Sequence, residues 1–180
     1  MRERSDEDLV AEWSGGSMAA FEQLYARYRA PLYRYFLRLV GDATRANDLY
    51  QGCWEKVIRA RGRYRPRGPF RAWLFRIAHN HAMDGFRRAE PVTELDEAEV
   101  ASTRPDPVAH TASAERAARL AAALDELPPE QREAVLLKLE AGLDLETIAR
   151  VTGVGRETAK SRLRYATKRL RRALSGEHTE

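Results

Sequence analysis

The chain has 180 residues, of which 43% are apolar and 32% charged, with a net charge of +4. The apolar share supports one or two packed domains, and no apolar run approaches the roughly 18 residues that a membrane helix needs. The polar, acidic start MRERSDEDLV lacks the apolar stretch of a signal peptide, and a single cysteine, Cys53, excludes an internal disulfide and a cysteine-based zinc cluster, as expected of a soluble cytosolic protein.

In chain order the pattern is helical. Ser5 is placed to cap a helix running to about Trp13, broken by Ser14-Gly15-Gly16. Ser17 begins the next, with Phe21, Leu24, Tyr25 and Tyr28 at helical spacing. Pro31 sits near the start of a further apolar stretch, Leu32, Tyr35, Phe36 and Leu39, closed by Gly41. Ala46, Leu49, Tyr50, Cys53 and Val57 mark another amphipathic helix, and Phe70 to Arg88 is the last helical stretch of this half. Three prolines (Pro91, Pro105, Pro107) and weak periodicity then predict a flexible linker. Helical spacing resumes with Leu120, Leu124 and Leu127, is punctuated by Pro128-Pro129, and continues through Val135, Leu136 and Leu139. The expected fold is all-α: a helical domain at 1–90, a linker at 91–113 and a second helical domain at 114–180.

Charge follows this division. Arg59 to Met83 contains seven arginines and no acid; Glu90 to Glu115 carries seven acids against Arg104 alone; Arg156 to Arg172 holds eight basic residues and one acid, Glu157. One such arginine is unremarkable on a solvated helix face. Two dense basic blocks around an acidic spacer point to a polyanion, most simply nucleic acid.

The sharpest motif is DLETIARVTGVGRETAKSRLRYATKRLRRAL, from Asp144 to Leu174. Asp144 is placed to cap a short helix ending near Arg150. Ala149 is small where two helices must cross, and Gly153 permits the positive φ of a tight turn. A long helix follows, with Leu163, Ala166, Leu170 and Leu174 on one face and Arg156, Lys160 and Arg164 stacked on the other. This is helix-turn-helix spacing, in which the second helix enters the major groove; an ordinary αα-hairpin with a basic surface is the alternative.

The stretch RIAHNHAMDGFRR, residues 76 to 88, raises the possibility of a metal-dependent nuclease using His79, His81 and Asp84. Phe70, Trp73, Leu74, Ile77 and Ala78 form a helical apolar face, however, and on a continuing helix His79 and His81 stand about 200° apart. They do not chelate one ion, and no metal or other cofactor is expected. Flat or amide side chains (Trp73, His79, Asn80, His81) beside Arg76, Arg87 and Arg88 suit stacking on unpaired bases and holding phosphates.

In these blocks the chain resembles an extracytoplasmic-function sigma factor of bacterial RNA polymerase, over nearly its whole length. FEQLYARYRAPLYRYFLRLVGD, NDLYQGCWEKV and YRPRGPFRAWLFRIAHNHAMDGFRR resemble sigma region 2; LDELPPEQREAVLLKLEAGLDLETIARVTGVGRETAKSRLRYATKRLRRAL resembles region 4. The resemblance implies promoter recognition at a −35 element, melting at a −10 element and docking on core polymerase, through the β′ clamp coiled coil and the β flap. For docking it implies Asn47, Asp48, Leu49, Gln51 and Trp54. At the −10 element it implies a base-capturing loop at His79, Asn80 and His81, supported by Trp73, Arg76, Asp84, Arg87 and Arg88. At the −35 element it implies Arg156, Glu157, Thr158, Lys160, Ser161, Arg162 and Arg164. The acidic linker would run through the RNA-exit path. An anti-sigma factor or a Ser/Thr kinase is a further implied partner, and membrane insertion is not expected.

The chain departs from the family pattern in two places. Ala159 stands where the TVKSR pattern has valine. More important, the docking helix of the family carries several acids, whereas this chain reads Arg45-Ala46-Asn47-Asp48, then Gln51-Gly52, keeping only Asp48. Thr44 is the candidate phosphosite that would restore negative charge there. The rival readings are a stand-alone helix-turn-helix regulator acting through residues 114–174, which leaves 64–88 unexplained, and the metal-dependent nuclease.

Overall fold

A computed structural model describes residues 4–65, 68–89 and 112–175. Helix α1 (Asp6–Ser14) begins at Ser5, whose hydroxyl accepts from the Asp8 amide at 3.1 Å while the Asp8 carboxylate accepts from the Ser5 amide, a reciprocal capping box. It buries Leu9, Val10 and Trp13. Helix α2 (Met18–Val40) is capped by Ser17 and stops at Gly41, where a φ of 70° would strain any residue with a Cβ.

Pro31 does not start a new helix. It lies inside the unbroken α2, although an internal proline removes one backbone bond and costs about 3 kcal/mol. Leu24 on one side and Leu32, Tyr35 and Phe36 on the other are all fully buried, and at roughly 1.5–3 kcal/mol per large apolar side chain that burial outweighs the break.

Helix α3 (Ala43–Arg59) is capped by Asp42, which accepts from the Arg45 amide at 2.8 Å. A short 3-10 turn (Arg61–Arg63) leads towards α4 (Phe70–Ala89), whose buried face is Phe70, Leu74, Phe75, Ala78 and Ala82. These four helices make the first bundle. The second comprises α5 (Ala112–Asp125), α6 (Pro129–Leu139), α7 (Leu145–Thr152) and α8 (Arg156–Ser175). Pro129 occupies the first turn of α6, where its missing amide hydrogen is not needed.

The architecture is two helical domains, as the periodicity predicts. Helix α6 of the second packs against α2 of the first, and α7 against α4. Helix α5 already begins at Ala112; the remainder of the segment assigned to the linker lies outside the described residues.

Candidate nucleic-acid interface

Helix α4 runs without interruption past His79, Asn80 and His81, so these residues are not on a loop. About 100° per residue sends their side chains in three directions. His79 points into the second bundle, its Nδ1 2.5 Å from Oε1 of Glu133, and its side chain is only 12% exposed. Asn80 is exposed at the mouth of a cleft of about 400 Å³ lined by Lys56, Arg59, Ala60, Arg63 and Ile77. His81 turns towards α3, against Gly52. The two histidines therefore do not converge, and among the described residues no group of His, Cys, Asp and Glu is arranged to hold a metal.

The cleft is electropositive, with three cations from α3 and the 3-10 turn facing one neutral amide. Arg59 and Arg63 belong to the acid-free stretch visible in the sequence, but Lys56 precedes it and carries no signal of its own. Trp73 is half-buried, its ring 5.3 Å from Tyr64 and 5.7 Å from Phe70. Arg76, Arg87 and Arg88 are exposed. Arg87 also donates to Asp84, and this hydrogen bond holds the Asp84 carboxyl below its ordinary range, with Lys56 3.6 Å away on the other oxygen. Asp84 thus pairs with Arg87 and with Lys56, the latter a cation of the cleft wall.

On α3 the candidate docking residues Asn47, Asp48 and Gln51 are exposed, and Leu49 is half-buried. Trp54 is not on that surface. It is 6% exposed within an aromatic cluster, 5.0 Å from the Tyr25 ring and 6.0 Å from Phe21. Ala46, Tyr50, Cys53, Trp54 and Val57 share one helical face, and position 54 falls near its centre. Cys53 is buried in the same face, and burial pushes its thiol up to about 12, where it is inert. Thr44 is exposed in the first turn of α3.

In the second bundle, Asp144 caps α7 by accepting from the Thr147 amide at 2.8 Å, a bond that holds its carboxyl below the ordinary range. Gly153, at φ 69°, makes the turn into α8, and the Val154 amide donates back to the Ala149 carbonyl at 3.0 Å. Ala159, Ala166 and Leu170 seat α8. Leu163 is half-buried, and Leu174, expected on the same buried face, is 42% exposed because it lies beyond Leu170, the last buried residue of the helix. Arg156, Glu157, Thr158, Lys160 and Arg164 are exposed, while Ser161 and Arg162 are half-buried. The Arg164 guanidinium lies 5.0 Å from the centre of the Tyr165 ring, an exposed aromatic that the spacing argument overlooked. A short helix, a glycine turn and a long helix with a basic outer face are the parts of a helix-turn-helix.

The family model "Sigma-70 region 2" matches residues 24–91 and "Sigma-70, region 4" matches residues 117–170. The RNA polymerase sigma factor CarQ of Myxococcus xanthus is 34% identical over 163 residues, spanning 88% of this chain and 91% of CarQ. The ECF RNA polymerase sigma factor SigM of Mycobacterium tuberculosis is 34% identical over 174 residues, spanning 96% of this chain and 86% of SigM. This chain belongs to the ECF sigma factors. Among solved structures, CnrH, in complex with the cytosolic domain of CnrY, superposes with a TM-score of 0.70 at 26% identity, covering 97% of this chain and 99% of that one. RpoE of Bartonella quintana, at a TM-score of 0.68 and 24% identity, has the same fold.

As a sigma factor, the protein binds core RNA polymerase and promoter DNA and directs transcription initiation. Among the described residues no helix is long and apolar enough to cross a membrane.

The position of His81 gives a physical reason for one missing acid of the docking helix. A Cβ on Gly52 would lie 2.5 Å from Nε2 of His81 and 2.9 Å from Cε1. Any side chain at position 52 must therefore displace the imidazole. Gly52→Glu, which writes the family's acid back, is expected to lower stability by less than the roughly 1–3 kcal/mol of core overpacking, because the imidazole tip is half-buried and glutamate is the better helix former, and His81→Ala in the same chain should recover most of the loss. Urea denaturation of the four chains of that cycle measures it; additive losses would remove the contact as the cause.

His81 itself titrates below its ordinary value of 6.5, first because it is partly buried and then because Lys56 is close. The folded state thus binds this proton less readily than the unfolded chain, so the contribution of His81 is intact above about 6.5 and is lost as pH falls below it. Urea midpoints between pH 7.5 and 5.5 should fall less in His81→Gln than in the parent chain.

Proposed function

We propose that the two bundles divide promoter recognition, with residues 1–90 docking on the β′ clamp coiled coil and opening the −10 element, and residues 114–180 reading the −35 element and meeting the β flap. The observation that carries this reading is the electropositive cleft with Asn80 at its mouth, on the bundle opposite the helix-turn-helix. A stand-alone regulator needs only the second bundle and has no use for such a cleft. In this reading Asn80 hydrogen-bonds a base drawn out of the stack, Lys56, Arg59 and Arg63 hold its phosphates, and the half-buried Trp73 offers a flat aromatic ring for stacking. Arg156, Lys160 and Arg164 face the major groove.

Docking rests on Asn47, Asp48, Leu49 and Gln51, with polar contacts in place of the family's acids. Thr44, in the first turn of a helix whose N-terminal dipole favours a phosphate, is where a Ser/Thr kinase would add charge. The protein performs no chemistry of its own, acts in the cytoplasm with the polymerase, and takes its regulation from a protein partner such as an anti-sigma factor. Binding of CnrH to the cytosolic domain of another protein supports that last point.

The test is copurification of the full chain with core polymerase, followed by run-off transcription from promoter fragments with −35 and −10 elements altered separately. Activity that survives loss of the −10 element but not of the −35 element would leave only the regulator reading. EDTA-treated sigma factor, returned to polymerase in fresh magnesium, should transcribe as before; loss of activity restored by one equivalent of zinc or manganese would revive a metal site at His79.

A further inference from the structure

Helix α3 leaves a large apolar side chain open to water. Ile58 is 47% exposed, and among the described residues of the first bundle only Met18 is another such residue. Ile58 lies seven residues beyond Gln51 and eleven beyond Asn47, so at about 100° per residue both fall within about 20° of its direction. Asn47 and Gln51 are exposed as well, and the strip they form with Ile58 is about 16 Å long and uncharged. Asp48 and Glu55 border it on one side. Tyr50 borders it on the other, held by an edge-on contact with the Tyr33 ring at 5.7 Å and by a hydrogen bond donated to the Tyr25 hydroxyl at 3.1 Å.

The charges around the strip cancel. Glu55 pairs with Arg59 at 3.6 Å, and Arg45 turns away, its guanidinium 6.0 Å from the centre of the Phe86 ring on α4. Exposed Arg45 and Arg59 thus stand against exposed Asp48 and Glu55. Surface pairs of this kind contribute little, and a face without net charge does not steer a charged partner. Apolar area removed from water is the remaining source of affinity. Ile58 serves neither the core nor the helix: it lies outside the packed apolar cluster, and isoleucine is a weaker helix former than lysine or arginine. An apolar side chain ringed by polar neighbours is the layout in which interface energy concentrates.

We propose that Ile58 is the apolar anchor of polymerase docking, so that this sigma factor holds core polymerase by burying an uncharged strip instead of by the acids its family uses. The proposal rests on the reading of α3 as the docking helix and names the contact that replaces the lost charge. The surface that receives Ile58 is accordingly an apolar patch of the clamp coiled coil, and the contribution of Ile58 is insensitive to salt.

The experiment titrates core polymerase with the full-length parent chain and with Ile58→Ala, Ile58→Leu, Asp48→Ala and Gln51→Ala. Each titration is run at about 0.1 and 0.5 M salt, between which the screening length falls from about 10 Å to roughly 4 Å. Ile58→Ala should weaken binding about tenfold, by the same factor at both salt concentrations, because three partly exposed carbons no longer leave water on docking. Ile58→Leu should stay close to the parent. Asp48→Ala should cost about twofold at low salt and nothing at high salt. Ile58 is exposed, so its substitution leaves the bundle folded, and an unchanged urea midpoint checks this. Parent-like affinity of Ile58→Ala, or a larger cost for Asp48→Ala that fades with salt, overturns the anchor. If Gln51→Ala weakens binding while Ile58→Ala does not, the docking face stands without the anchor; if no substitution on α3 has an effect, the docking reading falls with it. A parent chain that dimerises without polymerase, and does so less with Ile58→Ala, would assign the strip to a second copy and sink the proposal as well.

Discussion

Asn80→Ala is expected to reduce open-complex formation about ten- to hundredfold while leaving assembly with core polymerase unchanged. Asn80 is exposed midway along α4, and its side chain makes no hydrogen bond among the described residues. Alanine is the better helix former at such a position, so the substitution does not weaken the fold and any defect reports on DNA. An amide offers a base edge both a donor and an acceptor. Losing that pairing inside a closed protein–DNA pocket costs about 1–3 kcal/mol, which is the stated range in the closed-to-open equilibrium. Arg59→Ala and Arg63→Ala, on the cleft wall, should instead lower the salt slope of −10 strand binding by about 1 each, as phosphate contacts do. A pre-melted bubble should rescue Asn80→Ala only in part, because capture is lost along with opening. Normal permanganate reactivity of the −10 region with Asn80→Ala would show that the cleft does not hold a base.

Local signals in the sequence proved legible where the physics is local. Ser5, Ser17 and Asp144 cap the helices they precede, and Gly41 and Gly153 take the left-handed conformation that ends them. The apolar faces of α1 to α4 follow from period alone. Pro31 misled because its cost is set locally while the burial that offsets it is not. Trp54 misled in the other direction: the family resemblance placed it on a docking surface, although its helical neighbours Tyr50, Cys53 and Val57 mark it as core. Leu174 keeps the spacing of the buried face of α8 but lies past its last buried residue, Leu170, so periodicity outran the packing.

The site was legible in outline but not in orientation. His79, Asn80 and His81 are adjacent letters, and only the continuity of α4 reveals that one faces the other bundle, one the cleft and one Gly52. Glu133 carries no signal at all. In PEQREAVLL it reads as a solvated helix position, yet it is buried against Tyr35, 98 residues away in sequence. Long-range polar pairing has no period, so the pairing of Glu133 with Tyr35 and His79 and the Lys56 side of the cleft required the tertiary structure.

Substitutions on α8 should separate a base contact from phosphate contacts. Lys160 and Arg164 lie one turn apart on its exposed face, away from Ala159, Ala166 and Leu170, which seat the helix. Lys160→Ala and Arg164→Ala therefore leave the second bundle folded, and each should weaken binding to a −35 duplex. A lysine is a single flexible point charge, suited to a phosphate. Lys160→Ala is accordingly expected to weaken all sequences alike and to lower the salt slope by about 1. The Arg164 guanidinium is held beside the Tyr165 ring, and a positioned planar fork matches the O6 and N7 acceptors of guanine. Arg164→Ala should cost about 1–3 kcal/mol on the preferred −35 sequence and relax specificity at one base pair. Arg164→Lys keeps the charge without the fork, so it should restore the salt slope but not the specificity. Competition binding against a −35 library at two salt concentrations measures both quantities. If Arg164→Lys regains full specificity, Arg164 touches only the phosphate backbone, and the base-reading residues lie elsewhere on α8. If neither alanine variant changes binding, α8 does not enter the groove.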